Sequence, residues 1–216
     1  AIYTKDLTEN TELEKNGQPV TKGILGMELI RIGLERGKTA KEALDVITAL
    51  IEEYGQWGSG VPMSDTISGS YNNSFLIADK KEAYILEAAG KRWAARRVER
   101  GYAAISNEVS IRADYTSCSE GLVEHAVEKG WWPADKKDAF DYAYAYINRN
   151  NARQVSHIRV QRVRQLLRDC IKEYGTVDLA YMKRILRDHY EDTFLEGPYF
   201  NASEPDFLTI CMHNSV

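Results

Sequence analysis

The sequence has few of the patterns that announce common chemistries. Its three cysteines, Cys118, Cys170 and Cys211, are far apart and odd in number. Without a CxxC pair they offer neither a zinc ribbon nor a redox motif. A disulfide framework does not suit a chain of this length, and thiols in a reducing, cytoplasmic compartment are the simplest reading. The four histidines, His125, His157, His189 and His213, form no HxH or HExxH pattern, so no metal site is expected. No apolar run approaches about 18 residues, which excludes an apolar helix across a membrane. With 28 Lys+Arg against 32 Asp+Glu, the net charge is −4, and a chain that coats nucleic acid is excluded. No signal-peptide pattern opens the sequence, so the glycosylation sequons at Asn72 and Asn201 are expected to be chance matches. Internal repeats are absent as well.

One tempting motif also fails. Arg36-Gly37-Lys38-Thr39 resembles the end of a phosphate-binding loop, but that motif needs a glycine five residues before Gly37, and position 32 is Ile. The stretch also joins two helical patterns instead of following a strand.

Against these absences stands a substantial hydrophobic content. The 216 residues are 44% hydrophobic and 28% charged, which fits one large globular domain over residues 1–216. Residues 1–20 are polar and read as irregular. The spacing of Leu25, Leu29, Ile32 and Leu34 predicts a helix over 23–36, stopped by Gly37. Thr39 with Glu42 forms a capping box for a second helix, with Ala43, Leu44, Ile47, Leu50 and Ile51 on its apolar face. Residues 55–72 form a Gly/Ser-rich loop. The period then changes to that of strands over 74–78, 83–89, 93–98 and 102–106, which predicts an antiparallel meander. Residues 110–115 read as irregular. The second half returns to helices over 120–129, 138–148, 155–174 and 179–189, and 207–211 reads as a last strand. Helices, a meander, more helices and a strand give an α+β fold class.

Each candidate group has a plain structural reading beside the chemical one. The arginines of 149–168 suit the solvated face of an amphipathic helix better than a nucleic-acid footprint. Arg159 and Arg162 fall close to the apolar arc, where one of them is expected to be partly buried with a carboxylate partner. Cys170 lies on the apolar helix face and reads as inert core. Cys211 and His213 are two apart, so in an extended strand their side chains face the same way. Asn107 follows the apolar run Tyr102–Ser106. Its amide either closes a turn or donates to a developing oxyanion, and on residue physics alone the turn comes first.

Several blocks change that weighting. Gly26–Ala40, the following EALDVITALIEEYGQ, Asn73–Val98, Ile105–Ile111, Ile185–Thr193 and Leu208–His213 resemble the secernin and cysteine-dipeptidase family, in the family's order. The resemblance implies an N-terminal-nucleophile hydrolase fold, with two stacked antiparallel sheets between helical layers. It implies a mature N-terminal Cys as nucleophile, with its own α-amine as base. It further implies dipeptides or other small amides as substrates, no metal or organic cofactor, and neither nucleic acid nor membrane as partner. Asn107 then resembles the strand-end Asn of the oxyanion hole, and His213 lies in a shared block as a second candidate catalytic residue. Ala1 has neither thiol nor hydroxyl and cannot attack a carbonyl. The chain resembles an internal portion of the family sequence, so the nucleophilic Cys is expected upstream and this chain alone is expected to be inactive. A sheet edge left by absent strands favours a homo-oligomer. The alternative reading is a non-catalytic scaffold or interaction protein on the same fold.

Overall fold

Thr39 shows how local chemistry builds the first helices. In the computed structural model, which describes residues 2–20, 22–58, 70–150, 156–196 and 209–211, its hydroxyl accepts the Glu42 N–H at 3.1 Å. The Glu42 carboxylate reaches back to the Lys38 N–H at 2.7 Å, one residue earlier than in the usual capping box. This start defines α3 (Ala40–Tyr54), which follows α2 (Gly26–Arg36). Gly37 does end α2, but with φ of −91°, so the left-handed stop is not used. A Cβ there would lie 2.5 Å from the Ala43 nitrogen, and glycine is required by that close approach.

The strand-period residues form a four-stranded antiparallel sheet in the order β1-β2-β3-β4. Its strands are β1 (Ser74–Ala78), β2 (Ala83–Ala89), β3 (Arg92–Arg97) and β4 (Ser117–Cys118). Phe75 faces Leu86 and Ile77 faces Tyr84 in the first pair. Leu86 faces Ala95 and Ala88 faces Trp93 in the second. Alternation sends Phe75, Leu86, Ala88, Trp93 and Ala95 to one side, where they pack with Leu29, Leu44, Ile47 and Ile51 of α2 and α3. The Trp93 indole N–H donates to Glu52 at 2.8 Å, tying β3 to α3. Asp79 in the β1–β2 turn accepts the Ala40 N–H, and also those of Lys81 and Glu82. These three backbone donors, Ala40 first, hold its carboxyl below the ordinary value.

Two sequence expectations are corrected here. Residues 1–20 are not irregular, because α1 spans Lys5–Lys15. The Thr4 hydroxyl caps it, accepting the Leu7 N–H at 3.4 Å. Little apolar periodicity marks this helix, since Leu7 is its one buried apolar side chain. It is held instead by Ile2 pairing with Asn72 and Thr4 with Ile147. The run 102–106 is not the fourth strand. After β3 the chain leaves the sheet, and β4 comes later, with Ala94 opposite Cys118. Ala104 packs instead on Leu166, Leu167 and Ile185. Its run is apolar because it covers helices.

The remaining elements are α4 (Leu122–Glu128), a 3-10 turn (Ala134–Ala139), α5 (Tyr142–Tyr146), α6 (His157–Tyr174) and α7 (Leu179–Ile185). The chain divides into two compact units. One comprises Ala1–Gly101 and Glu108–Ala152, the other Tyr102–Asn107 and Arg153–Val216. The fold class is α+β, as expected. No helix among the described residues is long and apolar enough to cross a membrane. In α6, Leu166, Leu167 and Cys170 are buried. Arg168 is exposed as the helical period requires, while Arg164 is half-buried.

Candidate active site

Asn107 belongs to the second unit and is half-buried. It does not end a ladder strand, because 102–106 forms none. Its amide oxygen accepts from the Arg159 guanidinium at 2.6 Å. Beside it, the Ser106 hydroxyl donates to the Ser156 carbonyl at 3.4 Å, immediately before α6 begins. A guanidinium has only donors, so the end of the amide that meets it must be the oxygen. The amide's orientation therefore follows from the chemistry of its partner. Arg159 is itself half-buried. Burial pulls its value down, and the nearby Tyr190 phenol pulls the other way.

Arg162 lies one helical turn further along α6. It is 8% exposed and meets Asp188, which is 6% exposed. Its Nε donates to Oδ1 at 2.9 Å and its Nη2 to Oδ2 at 2.6 Å, a bidentate, charge-assisted contact. The same Nη2 donates to the Glu191 carbonyl at 2.9 Å. Asp188 raises the Arg162 value, chiefly through this contact. The sequence predicts one inward arginine with a carboxylate, and Arg162 is that residue; Arg159 meets the Asn107 amide. Asp188 also accepts the Tyr190 N–H at 3.1 Å. Tyr190 is buried with φ of +67°, a left-handed conformation that costs an aromatic residue about 1–2 kcal/mol and persists only where its surroundings enforce it.

The first unit holds a different kind of buried charge. Glu87 in β2 is fully buried. Its carboxylate accepts the Ser110 N–H at 2.8 Å, the Ser110 hydroxyl at 2.7 Å and the Ile111 N–H at 3.0 Å. Burial raises its value, and these donors oppose the rise. The Tyr142 hydroxyl donates to the Glu87 carbonyl at 3.0 Å. The segment 110–111, which reads as irregular from sequence, is thus fastened to the sheet by one side chain.

Sequence reasoning missed Glu87, Asp188 and Tyr190. A carboxylate inside the apolar run AYILEAA was the available signal for Glu87. Nothing local marks Asp188 or Tyr190, whose environments come from α6. His213 lies outside the described residues. Cys118 in β4 is half-buried, with its thiol raised by burial and then by Glu124. Cys170 donates to the Thr176 carbonyl at 3.3 Å, and its thiol is also raised by burial. Neither resembles an activated thiolate, which needs a lowered value. Among the described residues there is no cluster of His, Cys, Asp and Glu able to hold a metal.

The half-buried Asn107 amide met by Arg159 and the turn at Tyr190 in its unfavoured conformation fall within one long stretch of family likeness. The family model described as Peptidase family C69 matches residues 4–207. The match takes in both units, including Asn107, Arg159, Arg162 and Asp188, and the chain belongs to peptidase family C69.

Proposed function

We propose that this chain is part of a cysteine-type dipeptidase whose nucleophile is a mature N-terminal Cys upstream of this sequence. The observation that carries the reading is the peptidase-family match across residues 4–207. The lack of any activated thiol at Cys118 or Cys170 supports placing the nucleophile elsewhere. In this reading the N-terminal thiol attacks the carbonyl of a dipeptide and its α-amine takes the proton. The Asn107 Nδ2–H donates to the oxyanion that develops. The Arg159 contact supports that role, because it engages the amide oxygen and leaves the donor end turned away from the guanidinium. The four-stranded sheet is one of two stacked sheets in this picture. Cys118 and Cys170 are free thiols, in keeping with a reducing cytoplasm. His213 is retained as a site candidate on its position in the sequence alone.

The test is steady-state hydrolysis of a panel of Xaa-Xaa dipeptides by the full-length protein. Turnover is expected, with Asn107→Ala lowering kcat by about 10²–10³ and KM little changed. Turnover by the 216-residue chain alone that disappears in Cys211→Ala would locate the nucleophile here and overturn the reading. No turnover of any dipeptide by the full-length protein would favour the scaffold alternative.

A further inference from the structure

We propose that Arg159 is a positioning residue for the hydrolysis, acting through Asn107 by fixing which end of its amide faces the reacting carbonyl. This inference rests on the oxyanion role proposed for Asn107 and goes beyond it. A carboxamide has an accepting and a donating end of nearly the same shape, so packing alone discriminates weakly between its two orientations. The wrong orientation would present an oxygen to a developing oxyanion and repel it. A donor-only neighbour at 2.6 Å removes the ambiguity, since the flipped amide would set N–H against N–H. Lysine could satisfy the same oxygen, but as a point charge on a flexible stem. Arginine holds it from a planar group.

The surroundings favour a second effect of the same contact. Arg159 is half-buried, so its charge acts through a medium less screening than water. A charge-assisted bond to the amide oxygen polarises the group and strengthens its N–H donors. The Tyr190 phenol lies close enough to act on the guanidinium electrostatically, and the Tyr190 backbone is tied to Asp188, which Arg162 fastens to α6 one helical turn away. The inward face of α6 thus carries two arginines with distinct tasks. Arg162 secures the scaffold, and Arg159 orients the Asn107 amide.

The experiment is a double-mutant cycle on kcat and KM in the full-length peptidase, using Asn107→Ala, Arg159→Met and the two combined. Arg159→Met is expected to lower kcat about tenfold or more, bounded by the 10²–10³ typical of losing the donor itself, with KM nearly unchanged. In the Asn107→Ala background the same change should add less than about twofold, because a residue acting through another has nothing left to act on. Arg159→Lys should recover part of the loss. Asn107→Asp provides a control, since it keeps a partner for Arg159 but removes the N–H donors, and it should be folded and slow. Should Arg159→Met fail to fold in a thermal scan, the same cycle is read with Arg159→Lys. Independent multiplication of the two losses, or a raised KM with intact kcat in Arg159→Met, would overturn the positioning role while leaving Asn107 in place. An intact kcat in both Asn107→Ala and Asn107→Asp would overturn the oxyanion reading itself.

Discussion

In the sheet-based unit, buried Glu87 has no ion-pair partner among the described residues; its oxygens are satisfied by two N–H groups and a hydroxyl, and Arg96 adds only a lesser electrostatic influence. In the helical unit, Arg162 is buried against a full counter-charge, Asp188. Both environments favour the protonated form, but with opposite consequences for charge. Burial raises Glu87 toward its neutral form, whereas Asp188 raises Arg162 and holds it charged. A carboxylate met by neutral donors remains titratable and couples stability to pH. An arginine in a bidentate pair stays charged and instead makes its partner indispensable.

The sharpest way to break this comparison is to remove that partner. Asp188→Ala strands a buried guanidinium and should destabilise by about 3–5 kcal/mol. Urea unfolding would measure it, and faster hydrogen exchange confined to α6 and α7 would place the loss. A change under about 1 kcal/mol would mean that Arg162 finds water.

The second prediction concerns Glu87. Replacing it with Ala should cost about 1–3 kcal/mol, because buried donors at Ser110 and Ile111 lose their acceptor. Its pH dependence has a definite sign. A carboxyl raised on folding binds its proton more tightly in the folded state. Its contribution to stability therefore falls as pH rises from the ordinary carboxylate value through the raised one. Glu87→Gln should remove that decline. The opposite limb, from Asp79 held low by backbone donors, should survive in the same variant: its stabilisation is present above the ordinary value and lost as pH falls through the lowered one. Unfolding midpoints across pH in both proteins would check both signs.

Smaller effects refine the picture. Tyr142→Phe deletes one hydrogen bond to the Glu87 carbonyl and should cost about 1 kcal/mol, read from the urea midpoint. Thr39→Ala tests a purely local feature, the cap of α3. It should also cost about 1 kcal/mol or slightly less, with no change in the pH profile that Glu87 sets.

The contrast explains what was legible before folding. α3 and β1–β3 could be read almost to the residue, because Thr39 and Glu42 form a local cap and the strands alternate within each segment. Helix α6 was legible from its apolar period, as was the inward lean of its arginines. Helix α1 was not, since its lone buried Leu7 leaves no stripe and its anchors, Asn72 and Ile147, are distant in sequence. The run 102–106 was misread because strand and helix-covering segments share the same short apolar composition. Of the candidate site, Asn107 was legible as a residue, but its partner was not. The 52-residue separation between Asn107 and Arg159 is closed only by the fold.

By itself the sequence determined the family, the helix starts, the alternation of the central strands and the inward lean of α6, all of which depend on neighbours within a few residues. Tertiary structure alone decided that β4 replaces 102–106, that Glu87 holds 110–111, that Arg162 meets Asp188 and that Arg159 meets the Asn107 amide. Those outcomes depend on which groups are left in low dielectric without water. That is a property of the packed molecule, because each buried polar atom takes whichever partner the fold brings within about 3 Å.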